Sequence, residues 1–145
     1  SDRAAMGIAL KLARAAGRLG NVPVGAVVVV DGEIIASAGN RRETLQDPTA
    51  HAEMIALRAA ARALGTWRLE GATLVVTLEP CAMCAGAIAH ARLGRLVYGA
   101  KEPKTGAIES QHRLLDAQRV QISAGVEEEA AKALLEGFFQ SRRGT

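Results

Sequence analysis

Two runs of strand-forming residues, Val24–Val30 and Glu33–Ala38, are separated only by Asp31-Gly32. A two-residue link of this type reads as an antiparallel hairpin closed by a type I′ turn, because aspartate and glycine tolerate the left-handed conformations that turn demands. Before the hairpin, Ala4–Leu19 carries Ile8, Leu12, Ala15, Ala16 and Leu19 at a helical period until Gly17, Gly20 and Pro23 break it. After it, the polar residues 39–48 lead into Ala50–Leu64, where alanine, leucine and arginine sit at helical spacing and Gly65 supplies the stop. The pattern continues with a strand at Thr73–Leu78, a helix at Cys81–Arg92, a strand at Leu96–Tyr98, a helix near Ser110–Gln118, a strand at Val120–Ala124 and a last helix over Glu127–Arg142. A hairpin followed by alternating helices and strands implies an α/β protein with one mixed sheet covered by helices on both faces.

The 145 residues show no internal repeat, low-complexity tract or dividing linker, which predicts one domain over residues 1–145. A chain of this size buries roughly two thirds of its surface without staples, so a bound metal is free to be catalytic. Hydrophobic residues at 49% and charged residues at 23% exclude the disordered and fibrous classes. Asp2, Arg3, Lys11, Arg14 and Arg18 interrupt the first twenty residues, which leaves neither a signal-peptide core nor a membrane span and predicts a cytoplasmic protein with no membrane partner. The net charge of +3 is compatible with a polyanionic partner and does not require one.

Cys81 and Cys84 are the only cysteines. A pair so close staples almost nothing, whereas two thiols in a reducing compartment make good metal ligands or redox centres. Both lie in Pro80-Cys81-Ala82-Met83-Cys84 at an expected helix start. The three-residue spacing puts them on one face there, and the positive helix end favours thiolates. His51-Ala52-Glu53 opens the preceding helix, and its histidine could supply a third ligand. His90 and His112 form no recognisable pairing with the cysteines, so the better count is three protein ligands with water in the fourth position, the pattern of catalytic zinc. Water so held ionises near about pH 7. Glu53 follows His51 by two residues, roughly half a turn of helix away, which places it beside the metal as the proton carrier. Glu79, immediately before Pro80, is the next carboxylate for that task. A thioredoxin-type redox pair would leave His51 and Glu53 without a role.

These motifs, together with Val22-Pro23-Val24-Gly25-Ala26, Asn40, Asp47-Pro48-Thr49-Ala50, Thr77-Leu78-Glu79, Ala85-Gly86-Ala87 and Lys104-Thr105-Gly106-Ala107, resemble the zinc-dependent cytidine and deoxycytidylate deaminase superfamily over nearly the whole chain. Within it the pattern is most similar to the bacterial tRNA-specific adenosine deaminases. The resemblance implies a three-layer α/β/α cytidine-deaminase-like fold with a mixed five-stranded central sheet. It implies one Zn2+ per chain on His51, Cys81 and Cys84, Glu53 as the catalytic residue and Asn40 as a contact to the substrate nucleotide. It further implies a homodimer that converts adenosine to inosine at the wobble position of tRNA, with the anticodon stem-loop as partner. The terminal helix, with Phe138-Phe139 before Arg142-Arg143, looks like the one that meets the RNA.

The chain departs from that pattern after Gly106-Ala107. Ile108-Glu109-Ser110 and Ala117-Gln118 stand where the family has a Gly-Ser step and a longer loop ending in an Asn-His pair. Because this segment lies far from the metal motifs in sequence, it is expected to leave the chemistry intact and to bear on substrate choice. Two other functions fit the same motifs: a deaminase of a free nucleobase or nucleoside, and a structural-zinc module without turnover, which would need a fourth protein ligand and would unfold without metal. On the surface, Phe138 and Phe139 point about 100° apart on a helix, so both can hardly be buried. One is open either to stacking on a base or to a rim or dimer contact. Lys101, Lys104, Arg41 and Arg42 could form a phosphate track, although any single basic loop residue is ordinarily just solvated.

Overall fold

Asp31 and Gly32 both take positive φ, 49° and 79°, and close β1 (Gly25–Val30) against β2 (Glu33–Gly39) with Val30 opposite Glu33. This is the tight turn that the dipeptide predicts. In the computed structural model, which describes residues 1–143 and Arg143 by its backbone alone, β1 pairs on its other edge with β3 (Ala72–Leu78), also antiparallel. Parallel pairing then adds β4 (Arg95–Ala100) and β5 (Gln121–Ser123), giving one five-stranded mixed sheet in the order β2-β1-β3-β4-β5.

Alternation along the strands divides the core in two. Ala26, Val28, Leu74, Val76, Leu96 and Tyr98 face α3 (Ala52–Leu64) and α4 (Ala82–His90), whose Ala56, Ala60, Ala85 and Ile88 are buried against them. Val27, Val75 and Val97 face α1 (Asp2–Arg18) and α5 (Glu128–Arg143). The expected three-layer α/β/α arrangement is therefore present. Among the described residues no helix is long and apolar enough to cross a membrane.

The first helix forms as expected but buries a different face. Ile8 and Leu19 are exposed, and the buried set is Ala5, Met6, Ala9, Leu10, Ala13 and Ala16. The cause is close approach: a Cβ on Gly25 would collide with the Ala9 carbonyl, and one on Gly39 would crowd the Leu12 carbonyl and Ala16. Where the helix lies directly on strand backbone, at Ala9, Ala13 and Ala16, only a small side chain fits, so alanines mark the inner face there while Met6 and Leu10 fill the core beside them.

The helix expected near Ser110–Gln118 does not form, and those residues run as an irregular loop with turns at its two ends. Their N–H groups are taken up elsewhere. Ser110 donates to the Glu79 carboxylate, Gln111 and His112 to the Gly106 carbonyl, and Leu114 to the Ala107 carbonyl. A buried carboxylate accepting main-chain donors competes directly with the helical ladder. The polar loop before α3 contains one short helix, α2 (Arg42–Leu45).

Candidate active site

β3 ends at Leu78, and Glu79-Pro80 carries the chain to Cys81, the N-cap of α4. His51 is the N-cap of α3. Both residues have extended backbone and neither caps its helix with its side chain, so the imidazole and the sulfur are left to face each other beyond the carboxyl end of β3. Ligand sites in α/β sheets commonly lie there. His51 Nδ1 is 3.7 Å from Cys81 Sγ and 3.6 Å from Cys84 Sγ, and the three ligand atoms lie within 4.8 Å of one another. With zinc–sulfur and zinc–nitrogen bonds of about 2.3 and 2.0 Å, a tetrahedral ion needs N···S edges of about 3.5 Å. The separations are those of a cluster that can seat a metal ion. Both cysteines are free thiols. Among the described residues no further His, Cys, Asp or Glu joins the group, and His90 and His112 are exposed.

Glu53, in the first turn of α3, is 4% exposed. Burial pushes its carboxyl above the ordinary range, against the opposing pull of its main-chain hydrogen bond and of His51. The thiols share protons unequally. A hydrogen bond from Cys84 and a second from His51 hold Cys81 down to about 3, whereas the same pairing with Cys81, followed by burial, pushes Cys84 up. His51 is raised, mainly by its bond to Cys81.

His51, Glu53 and Cys81 line a cavity of about 240 Å³ whose wall also includes Val22, Asn40, Arg42, Glu79, Glu102, Thr105 and Phe139, while Cys84 is fully buried. Asn40 is 7% exposed. Its Nδ2 donates to the Val22 carbonyl (3.2 Å) and its Oδ1 accepts from the Arg42 N–H (3.1 Å), and each amide group still has a second hydrogen-bonding position to offer. Phe138 is half-buried and Phe139, 44% exposed, stands at the cavity wall, the two rings meeting edge to face at 5.3 Å. Of the four candidate phosphate-binding residues, Arg42 lines the cavity, and Arg41, Lys101 and Lys104 are exposed beside it in sequence. In the expected Arg142-Arg143 pair, the second side chain lies outside the described residues.

Glu79 has a different role from the one its position suggests. Its carboxylate accepts from the N–H groups of Glu102 (3.1 Å), Ile108 (3.1 Å), Glu109 (2.8 Å) and Ser110 (2.9 Å), and from the Ser110 hydroxyl. Burial acts to raise this carboxyl, and those donors outweigh it and hold it below the ordinary glutamate range. The segment after Lys101, distant from the metal motifs in sequence, is thereby anchored beside them in space, with the Ala107 N–H on the Pro80 carbonyl at 2.8 Å. Its remoteness in sequence does not carry over. The available signal was that a carboxylate between a buried strand and Pro80 needs partners; in the fold Gly106 packs where any Cβ would strike it. Glu79→Gln turns an amide toward main-chain donors, and is expected to cost about 1–3 kcal/mol by leaving them unsatisfied. Urea unfolding measures the loss, and amide exchange at Ile108, Glu109 and Ser110 should quicken. Because the folded pKa is depressed, the wild-type anchor is complete above the ordinary glutamate range and is lost only as pH falls through the lowered value.

A cation seat beside a buried carboxylate, at paired helix starts beyond a mixed sheet, is deaminase architecture. The model of the MafB19-like deaminase family matches residues 1–143, and the chain belongs to that family. Among its relatives, the tRNA-specific adenosine deaminase of Bacillus subtilis is 49% identical over 98% of this chain and 91% of its own length. The corresponding protein of Agrobacterium fabrum is 48% identical over 95% and 93%. A solved tRNA:A34 deaminase superposes with a TM-score of 0.86 at 48% identity, over 90% of this chain and 98% of that one. The guanine deaminase of Nitrosomonas europaea has the same fold, with a TM-score of 0.85 at 28% identity over 95% and 84%.

Proposed function

We infer that this chain hydrolyses adenosine to inosine at the wobble position of tRNA, releasing ammonia. The observation that carries the chemistry is the His51, Cys81 and Cys84 cluster, whose His51 and Cys81 line one cavity with buried Glu53. The substrate follows from the near-full-length likeness to tRNA-specific adenosine deaminases, at 49% identity against 28% for the guanine deaminase. Two thiolates and an imidazole favour zinc, which when bound supplies the Lewis acidity that lets water ionise near neutral pH.

The rest of the reaction falls to side chains. Glu53 takes a proton from the attacking water and delivers it to the ring nitrogen beside the attacked carbon. As the C–N bond breaks it passes the remaining hydroxyl proton to the departing amine. A carboxyl whose hold on a proton is strengthened by burial suits a group that must accept a proton and then release it. Asn40, fixed between Val22 and Arg42, orients the nucleotide with its remaining hydrogen-bonding positions. A structural-zinc module would require a fourth protein ligand, and none joins the cluster among the described residues.

A homodimer is part of the same reading, and light scattering in solution tests it. A tRNA substrate accords with a cytoplasmic location. The deciding experiment incubates the protein with total tRNA and, separately, with free bases and nucleosides. Inosine within tRNA is the expected product, and xanthine from guanine without inosine in tRNA would replace the reading with that of a free-base deaminase.

A further inference from the structure

The catalytic cavity does not end at Phe139. It shares Val22, Arg42 and Phe139 with a second cavity of about 450 Å³, which in turn shares Phe138 and Arg142 with a third of about 630 Å³ between α1 and α5. Through these shared wall residues the three lie in series as a trough from His51 to a groove edged by Arg14 and Arg18 on α1 and Arg142 on α5, over Pro23, Leu134 and Phe138.

Charge along this trough is one-sided. Beyond the catalytic cavity its walls carry Arg14, Arg18, Arg42 and Arg142 against a single acid, Glu43, which lies 3.9 Å from Arg42. Arg14 and Arg18 are one turn apart on α1 and both exposed, and exposed Lys11 extends the same stripe. Arg142 is held in place, donating to the Gly20 carbonyl at 3.0 Å and lying 4.2 Å over the Phe138 ring. A free base would fill only the first cavity and leave the arginines of the groove without a task. A lipid surface would meet the arginines but could not follow the trough to the cavity. A strand with one phosphate per residue matches both the path and the charge.

We propose that the groove between α1 and α5 carries the phosphate backbone of the RNA strand leaving the catalytic cavity, with Arg14 and Arg18 as its phosphate-binding residues. The proposal rests on the tRNA reading above. It assigns α1 a part in substrate binding that the sequence motifs do not touch, since neither arginine lies in a deaminase motif or near the metal cluster.

The test compares inosine formation in tRNA by wild type, Arg14→Gln/Arg18→Gln, the charge-keeping Arg14→Lys/Arg18→Lys and a matched pair in the α4 layer on the opposite side of the sheet, Arg92→Gln/Arg119→Gln. Each phosphate of a single strand that a variant no longer neutralises lowers the dependence of log(kcat/KM) on log salt by about 0.7. The glutamine pair should therefore lower the slope by about 1.4 and raise KM on the order of tenfold at low salt. The lysine pair should restore most of both, and the opposite-face pair should behave as wild type. A glutamine pair with wild-type KM and slope overturns the proposal while leaving the tRNA reading intact, as does an equal change in the opposite-face pair, which would reduce the effect to net charge. Unchanged RNA kinetics together with weakened binding to anionic vesicles would give the groove to a membrane and overturn it too. A wild type that makes no inosine in tRNA removes the tRNA reading and this proposal together.

Discussion

Glu53→Gln is expected to keep the fold and a full complement of metal while losing at least about 10²- to 10⁴-fold in turnover, the range that general acid–base assistance supplies at one proton transfer. The side chain is 4% exposed and in the first turn of α3, so an amide of the same shape preserves packing. What the amide lacks is the capacity to take a proton from water and release it again to the base and the amine. Because the same group serves successive transfers, the loss should fall toward the large end of that range. Inosine formed per unit time, alongside zinc per chain by elemental analysis, separates chemistry from loading. Full metal content with more than roughly a tenth of wild-type turnover, far less loss than general catalysis implies, would take the proton-carrying role from Glu53. Of the other carboxylates on the cavity wall, Glu79 has both oxygens occupied by the segment from Glu102 to Ser110, which leaves Glu102 as the next candidate.

Cys84→Ala is expected to release the metal, and Cys81→Ala likewise, since either change leaves two protein ligands where three are needed. Elemental analysis after dialysis reads the outcome directly, and a fully loaded Cys84→Ala protein would show the ligand assignment to be wrong. Loading in wild type should also weaken as pH falls. Cys84 is pushed up by Cys81 and burial, and His51 is raised by its bond to Cys81, so protons compete with the ion for both groups. The sheet and its two apolar layers do not depend on the cluster, which sits at one end of β3. A chelator should therefore abolish turnover and leave the helical circular dichroism signal in place. Collapse of that signal would instead mark the metal as structural.

The cysteine pair of the candidate cluster was legible in the chain because its spacing is local. Cys81 and Cys84 share a helical turn, and Pro80 and the apolar strand before it announce where that helix begins. The hairpin is equally local, since two residues of defined conformation suffice to close it. The face of α1 was not legible in this way, because it depends on Gly25 and Gly39 coming up beneath it, and a helical period by itself points to Ile8 and Leu19. Nor was the fate of residues 110–118, whose local pattern reads as a helix until the carboxylate of Glu79, some thirty residues earlier, claims the main-chain donors that a helix would use.

The sequence by itself determined the elements whose partners lie within one turn or one hairpin: the β1–β2 hairpin, the helix starts at His51 and Cys81, and the residue types able to hold a metal and move a proton. Only the tertiary structure decided what those starts face. It brought His51 within 3.7 Å of both sulfurs, set Asn40, Glu102 and Phe139 around one cavity, and joined that cavity to the arginines of α1 and α5. The physical reason is range. Backbone propensity and helical spacing act over a few residues, whereas a substrate cavity is made where chain segments a hundred residues apart are forced together by burial of two apolar sheet faces.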